Sequence, residues 1–205
     1  MRHARLNPLA AAFLACITSS LHAQSPPQDA PDPFTQSGRT LAAGHSVAYV
    51  IHQLPVSSFP DLPNTIQSVL NQRGCWIPQT YEAHRPENVV HASLERAGSS
   101  DWAVLCATNG TVSLMVFFAS APERPTVLAS APETGRLQSH DPSGVLGFNW
   151  GIDPASPEAI HEAQIGMRHP PPRLDHDALA DSVIDRRTIY RVFAKGAWTV
   201  IDTRD

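Results

Sequence analysis

The sequence predicts an α+β fold: a mainly antiparallel sheet with two short helices, forming a single domain over residues 41–205. Three observations predict it. An Asn109-Gly110 pair separates two apolar runs, DWAVLCA and SLMVFFA, and Asn-Gly between apolar runs is the strongest short-range hairpin signal. A second pair of strand-like runs turns at Lys195-Gly196. Two short segments, 61–74 and 156–166, carry helix start and stop residues.

The chain opens MRHARLNPLAAAFLACITSSLHAQ. Arg2 and Arg5 form a basic start, and residues 9–17 form an apolar core too short to span a bilayer. Leu21-His22-Ala23 suits a cleavage site, so residues 1–23 are expected to be a signal peptide removed after Ala23. Phe13-Leu14-Ala15-Cys16 offers a different outcome, a lipobox in which Cys16 becomes lipidated. The first route leads to the periplasm or the medium, the second to an outer-membrane lipoprotein. Residues 24–40 are rich in Pro, Gln, Ser and Asp without apolar periodicity, and read as a disordered linker.

Within the domain, SVAYVIHQL (46–54) alternates as a strand. In the first helix Asp61 is the expected cap and Pro63 sits in the first turn, where its missing N–H costs nothing. Ile66, Val69 and Leu70 share a face, Arg73 suits the negative end, and Gly74 supplies a left-handed stop. A strand over 88–94 precedes the Asn-Gly hairpin. The hairpin runs are almost continuously apolar, the mark of strands buried on both faces, and the first helix is expected to cover one of them. Further strands are expected over 126–130 and 144–152. The second helix has Ser156 as cap, Pro157 in its first position, Glu158 and Glu162 early and Gly166 as stop. Residues 187–203 form the last hairpin.

Of three cysteines, Cys16 lies in the leader, and Cys75 and Cys106 remain. In an oxidising compartment this even pair predicts a disulfide, worth roughly 3–4 kcal/mol for a loop of about 30 residues. Two buried thiols are the alternative. The formal net charge is −4 and no basic patch occurs, which argues against nucleic acid and anionic lipid as partners. After the leader no apolar run is long enough for a transmembrane helix.

Residues 88–118, NVVHASLERAGSSDWAVLCATNGTVSLMVFF, resemble one blade of an FG-GAP-type β-propeller. The calcium loop of that family runs Asp-x-Asn-x-Asp-Gly-x-x-Asp. Gly98 and Asp101 match it, but Ser93, Glu95 and Ala97 occupy the other ligand positions and Arg96 brings a positive charge. Calcium takes about six to eight oxygens, so the resemblance implies a strand–loop–strand shape, with Glu95 and Asp101 as a non-binding remnant. The likeness covers one blade, and a propeller needs about four or more. RGCWIPQ, NVVHASL, DWAVLC, DHDALAD and KGAWTVIDTRD also resemble a group of uncharacterised exported bacterial proteins, a likeness that implies organisation and no activity.

For chemistry, His161-Glu162 begins like a zinc-protease HExxH, but Ile165 stands where the second histidine is required. The densest set of ligand types is His169, Asp175, His176, Asp177 and Asp181, which offers either a zinc or calcium site or a set of turn and cap residues. Gly44-His45-Ser46-Val47-Ala48 lacks the last glycine of a nucleophile elbow. Trp76, Trp102, Trp150 and Trp198 suit either a sugar-binding platform or core packing. These features lead to a non-catalytic binding or accessory domain of the cell envelope, without cofactor. The alternative is a periplasmic metal-dependent hydrolase built on His169, Asp175, His176 and Asp177, with His91 brought near.

Overall fold

The computed structural model describes residues 34–165, 167, 170 and 172–202. The expected leader with Cys16, residues 24–33 of the expected linker, Gly166 and His169 lie outside them. Among the described residues, two α-helices and 13 strands form mostly antiparallel sheets, the α+β class that was expected. No helix among them is long and apolar enough to cross a membrane.

The first sheet has nine strands: β1 (Thr35–Ala42), β2 (His45–Pro55), β3 (Trp76–Pro78), β4 (Val89–Ala92), β5 (Asp101–Thr108), β6 (Thr111–Phe117), β7 (Thr126–Pro132), β8 (Leu137–Ser139) and β9 (Leu146–Phe148). The second has four: β10 (Trp150–Ala155), β11 (Ala178–Val183), β12 (Arg187–Ala194) and β13 (Ala197–Ile201). Strand β5 is the centre. One edge pairs with β6 from Trp102↔Phe117 to Thr108↔Thr111. The other pairs with β4 at its start and with β3 at Trp76↔Ala107.

The near-continuous apolar run of β5 is explained by what lies on each side. Ala103, Leu105 and Ala107 pack with Leu114, Trp150 and Leu179, towards the second sheet. Trp102, Val104 and Cys106 pack with Ile66, Leu70 and Phe117, under helix α1 (Asn64–Gln72). Each large apolar side chain buried this way contributes about 1.5–3 kcal/mol. Helix α2 (Pro157–Ala163) covers the far side of the second sheet through Ile160, Ala178, Ala180 and Val192. The Ser156 hydroxyl caps α2 by accepting the Ala159 N–H at 3.2 Å.

Three sequence expectations are corrected. Asp61 does not cap α1. Its cap position is Pro63, whose carbonyl accepts the Gln67 N–H at 3.0 Å, because residues 59–62 close a turn of their own (Leu62 N–H to Phe59 O, 3.2 Å). The linker assigned to 24–40 overlaps a strand, since β1 pairs along β2. As a polar, half-exposed edge β1 needs no apolar alternation, and its turn is Ala43-Gly44 (φ 49° and 81°) rather than an Asn-Gly signal. The single strand over 144–152 is two strands in two sheets. The chain crosses at Asn149, whose N–H donates to Arg136 O (2.9 Å) and whose carbonyl accepts from Ile184 N–H (2.9 Å).

The end of α1 follows the expected chemistry. Gly74 takes φ 68°, its N–H donates to Asn71 O at 3.0 Å, and Cys75 N–H reaches Leu70 O at 3.0 Å. This pair of bonds is a Schellman stop. Cys75 and Cys106 are joined by a disulfide, which ties the helix end to β5.

Candidate functional site

The dense ligand set of the sequence is dispersed into separate structural tasks. His176 is buried, its Nδ1 2.9 Å from the carbonyl of Asp177 and its Nε2 4.0 Å from the carboxylate of Asp175. The Asp175 side chain is itself 90% exposed. Asp177 accepts the Ser93 N–H at 2.9 Å and returns its own N–H to Ser93 O at 3.0 Å, so it pins the approach to β11 against the loop after β4. Asp181, on β11, is buried and accepts from the Trp150 indole N–H and from Arg191 Nε, each at 2.7 Å. Arg136 lies over the Trp150 ring at 4.0 Å, and burial pulls its guanidinium below the usual arginine value, with Asp181 opposing. Among the described residues no three His, Cys, Asp or Glu side chains group as metal ligands. His161 and Glu162 lie on the exposed face of α2.

In the blade-like loop, Asp101 is fully buried and both of its oxygens are engaged. Oδ2 accepts the Glu95 N–H at 2.7 Å and the Ser99 hydroxyl, while Oδ1 accepts the Ala119 N–H at 2.8 Å. Glu95 accepts from the Ser120 hydroxyl at 3.0 Å. One aspartate thus organises the entry to β5 and the exit from β6 through hydrogen bonds to the protein itself.

At the opposite end of β5 the same strand borders a cleft of about 340 Å³. Its walls come from separate parts of the chain. The Schellman stop supplies Arg73 and Gly74, β3 supplies Trp76, and the Asn109-Gly110 turn supplies the rim. Gln36 of β1, Gln53 of β2 and Glu133 complete it. Glu133 is only 4% exposed and is held against the hairpin by its N–H, which donates to Gly110 O at 2.9 Å. The Gln53 side-chain amide reaches both the Glu133 carboxylate and Gln36 Oε1, each at 3.1 Å. Trp76 is 37% exposed, and Phe34, 41% exposed, stands 6.2 Å away between ring centroids.

A buried carboxylate beside an exposed indole is an uncommon pairing, since charge is normally outside and large apolar rings inside. The other tryptophans do not share it. Trp150 is fully buried, Trp102 lies under His91, and Trp198 packs with Phe118 and Phe193. The sequence marks Trp76 as one of four platform candidates. It does not mark Gln53 or Glu133, which are 80 residues apart and meet only through the sheet.

A second cleft, of about 560 Å³, opens at the Asp101 end of β5 between residues 58–62, which precede α1, and β4. Phe59, Leu62, Val89 and Trp102 make its apolar wall, with Asp61 and His91 as polar groups. His91 stands across the ladder from Trp102, and the two rings stack at 4.4 Å and 16°. His91 is exposed and lies apart from the His176 turn in its bonding: its Nε2 meets the Ser100 hydroxyl at 2.7 Å. Compared with protein-family models, with curated proteins and with solved structures, the chain matches none.

Proposed function

We propose that the protein is an exported binding domain of the bacterial cell envelope that takes a glycan in the Trp76–Glu133 cleft. The observation that carries this reading is the buried Glu133 carboxylate, oriented by Gln53, facing a cleft whose wall includes an exposed indole. The apolar face of a sugar ring stacks on an aromatic ring, while planar amides and carboxylates each take two adjacent hydroxyls. Trp76 offers the ring, and Glu133, Gln53 and Gln36 offer the planar polar groups. A pocket with an aromatic surface and a few placed polar groups is the usual form of a small-ligand site. The disulfide suits an oxidising compartment, and the leader supports export. The metal-hydrolase alternative draws no comparable support, because Asp177 and Asp181 are occupied by Ser93, Trp150 and Arg191.

The test is titration calorimetry with chito-oligosaccharides and cello-oligosaccharides, together with co-sedimentation on purified peptidoglycan. Binding to at least one is expected, weakened at least tenfold by Trp76→Ala. Glu133→Gln keeps the shape but loses the charge, and a charge-assisted hydrogen bond of about 1.5–3 kcal/mol corresponds to about tenfold or more. Absence of binding to all three, or binding indifferent to Trp76→Ala, overturns the proposal.

A further inference from the structure

At the second cleft stands a pair of groups that glycan binding does not use: His91 lines the cleft and Ser100 hydrogen-bonds to it. His91 Nε2 and Ser100 Oγ are 2.7 Å apart, within the range for a base and the nucleophile it activates. Neither position is accidental to the fold. The His91 ring is laid on Trp102 by the β4–β5 register, which fixes its plane. Ser100 sits between Ser99 and Asp101, and the buried Asp101 carboxylate holds the loop that presents it. Both side chains are exposed to incoming substrate. The cleft wall that includes His91 offers Phe59, Leu62, Val89 and Trp102 as an apolar seat.

We infer that His91 and Ser100 are a base–nucleophile pair, and that Ser100 is acylated by esters whose apolar group sits against Phe59 and Trp102. In the first step Ser100 Oγ forms a bond to the acyl carbon and its proton passes to His91 Nε2. The bond from the acyl carbon to the leaving oxygen breaks, and that oxygen takes the proton from His91 as the alcohol departs. Water then attacks the acyl-serine, its proton passing through His91 back to Ser100 Oγ, and a carboxylic acid is released. The sequence is redox-neutral and needs only water as co-reactant. General-base assistance of this kind is worth about 10²–10⁴-fold in rate.

The full mature chain is incubated with p-nitrophenyl butyrate and, separately, with a fluorophosphonate probe, and the labelled serine is located by peptide mass spectrometry. The expected result is one label, on Ser100, with p-nitrophenol released. Ser100→Ala removes the label. His91→Gln keeps the ring-stacking strand in place but slows labelling by about 10²-fold, at the low end of general-base effects. Both side chains are exposed, and thermal melts check that the variants stay folded. No label on the wild-type chain, a label on another serine, or labelling of His91→Gln at the wild-type rate each overturns the inference. The two clefts lie at opposite ends of β5, so glycan binding is read separately and survives or fails independently.

Discussion

At its Cys106 end β5 is held by a covalent bond to the turn after α1, and at its Asp101 end by one buried carboxylate. The two fastenings do similar geometric work, each joining β5 to a loop, yet they act on different states of the chain. A disulfide acts mainly on the unfolded ensemble, by removing loop entropy. A buried carboxylate acts on the folded state, because it answers backbone N–H groups that only folding brings to it. Each end also borders a cleft, so the mode of fastening governs how each cleft responds to damage.

The largest effect is expected from Asp101→Ala. It removes the acceptor of the Glu95 and Ala119 N–H groups and one partner of the Ser99 hydroxyl, which keeps the Arg96 carbonyl. Each orphaned backbone donor costs about 1–3 kcal/mol and the lost hydroxyl bond about 1 kcal/mol, so a loss of about 4 kcal/mol is expected in urea unfolding. Hydrogen exchange should show the damage concentrated at the amides of Glu95 and Ala119. Asp101→Asn, which keeps one acceptor oxygen, should lose about half as much. A stability change under about 1 kcal/mol for the alanine variant would mean that the loop finds other partners, and the comparison would collapse.

The Cys75→Ala/Cys106→Ala double variant comes next. The bridged positions are 31 residues apart, and a loop of that length is worth about 3–4 kcal/mol. Unlike the Asp101 variant, it should leave the pattern of hydrogen exchange unchanged while lowering protection everywhere. Dithiothreitol should reproduce the loss in the wild-type protein. Although the bond joins the segment bearing Arg73 and Trp76 to that bearing Ala107 and Thr108, the loss falls on the unfolded ensemble, so glycan affinity of the folded protein should be kept within about twofold.

These two ends also show what could be read in advance. The disulfide was legible, since two cysteines remained after the expected leader and one followed a helix stop directly. The double-sided burial of β5 was legible in its unbroken apolar run. Asp101 was singled out, but as the remnant of a calcium loop, because a carboxylate after a glycine looks the same whether it meets a metal or a backbone N–H. DHDALAD misdirected attention for a related reason. Its carboxylates are dense in sequence, yet only Asp181 belongs to β11 while Asp177 lies in the segment before it, and the two find different partners on different elements. Glu133 was invisible because its meaning depends on Gln53, and no local pattern links a Pro-rich turn to a residue 80 positions earlier. The edge strand β1 was lost in the same way, its pairing being set by β2 rather than by its own side chains.

The smallest effect sharpens the comparison between the two hairpins. Asn109-Gly110 and Lys195-Gly196 turn with nearly the same backbone, φ 51° and 75° against φ 53° and 80°. A side chain at either glycine meets no neighbour within 4 Å, so the cost of alanine there is conformational alone, about 1–2 kcal/mol per residue forced left-handed. Gly110→Ala and Gly196→Ala should therefore lower stability equally, even though β5 is buried on both faces and β13 is mostly exposed. Equal losses in thermal unfolding would show that turn strain is local. A markedly larger loss for Gly110→Ala would show that strain at the rim spreads, through the Glu133 N–H to Gly110 O bond, into the glycan cleft. In that case ligand affinity would fall with stability, and the outer hairpin, with no such bond to a cleft, provides the control.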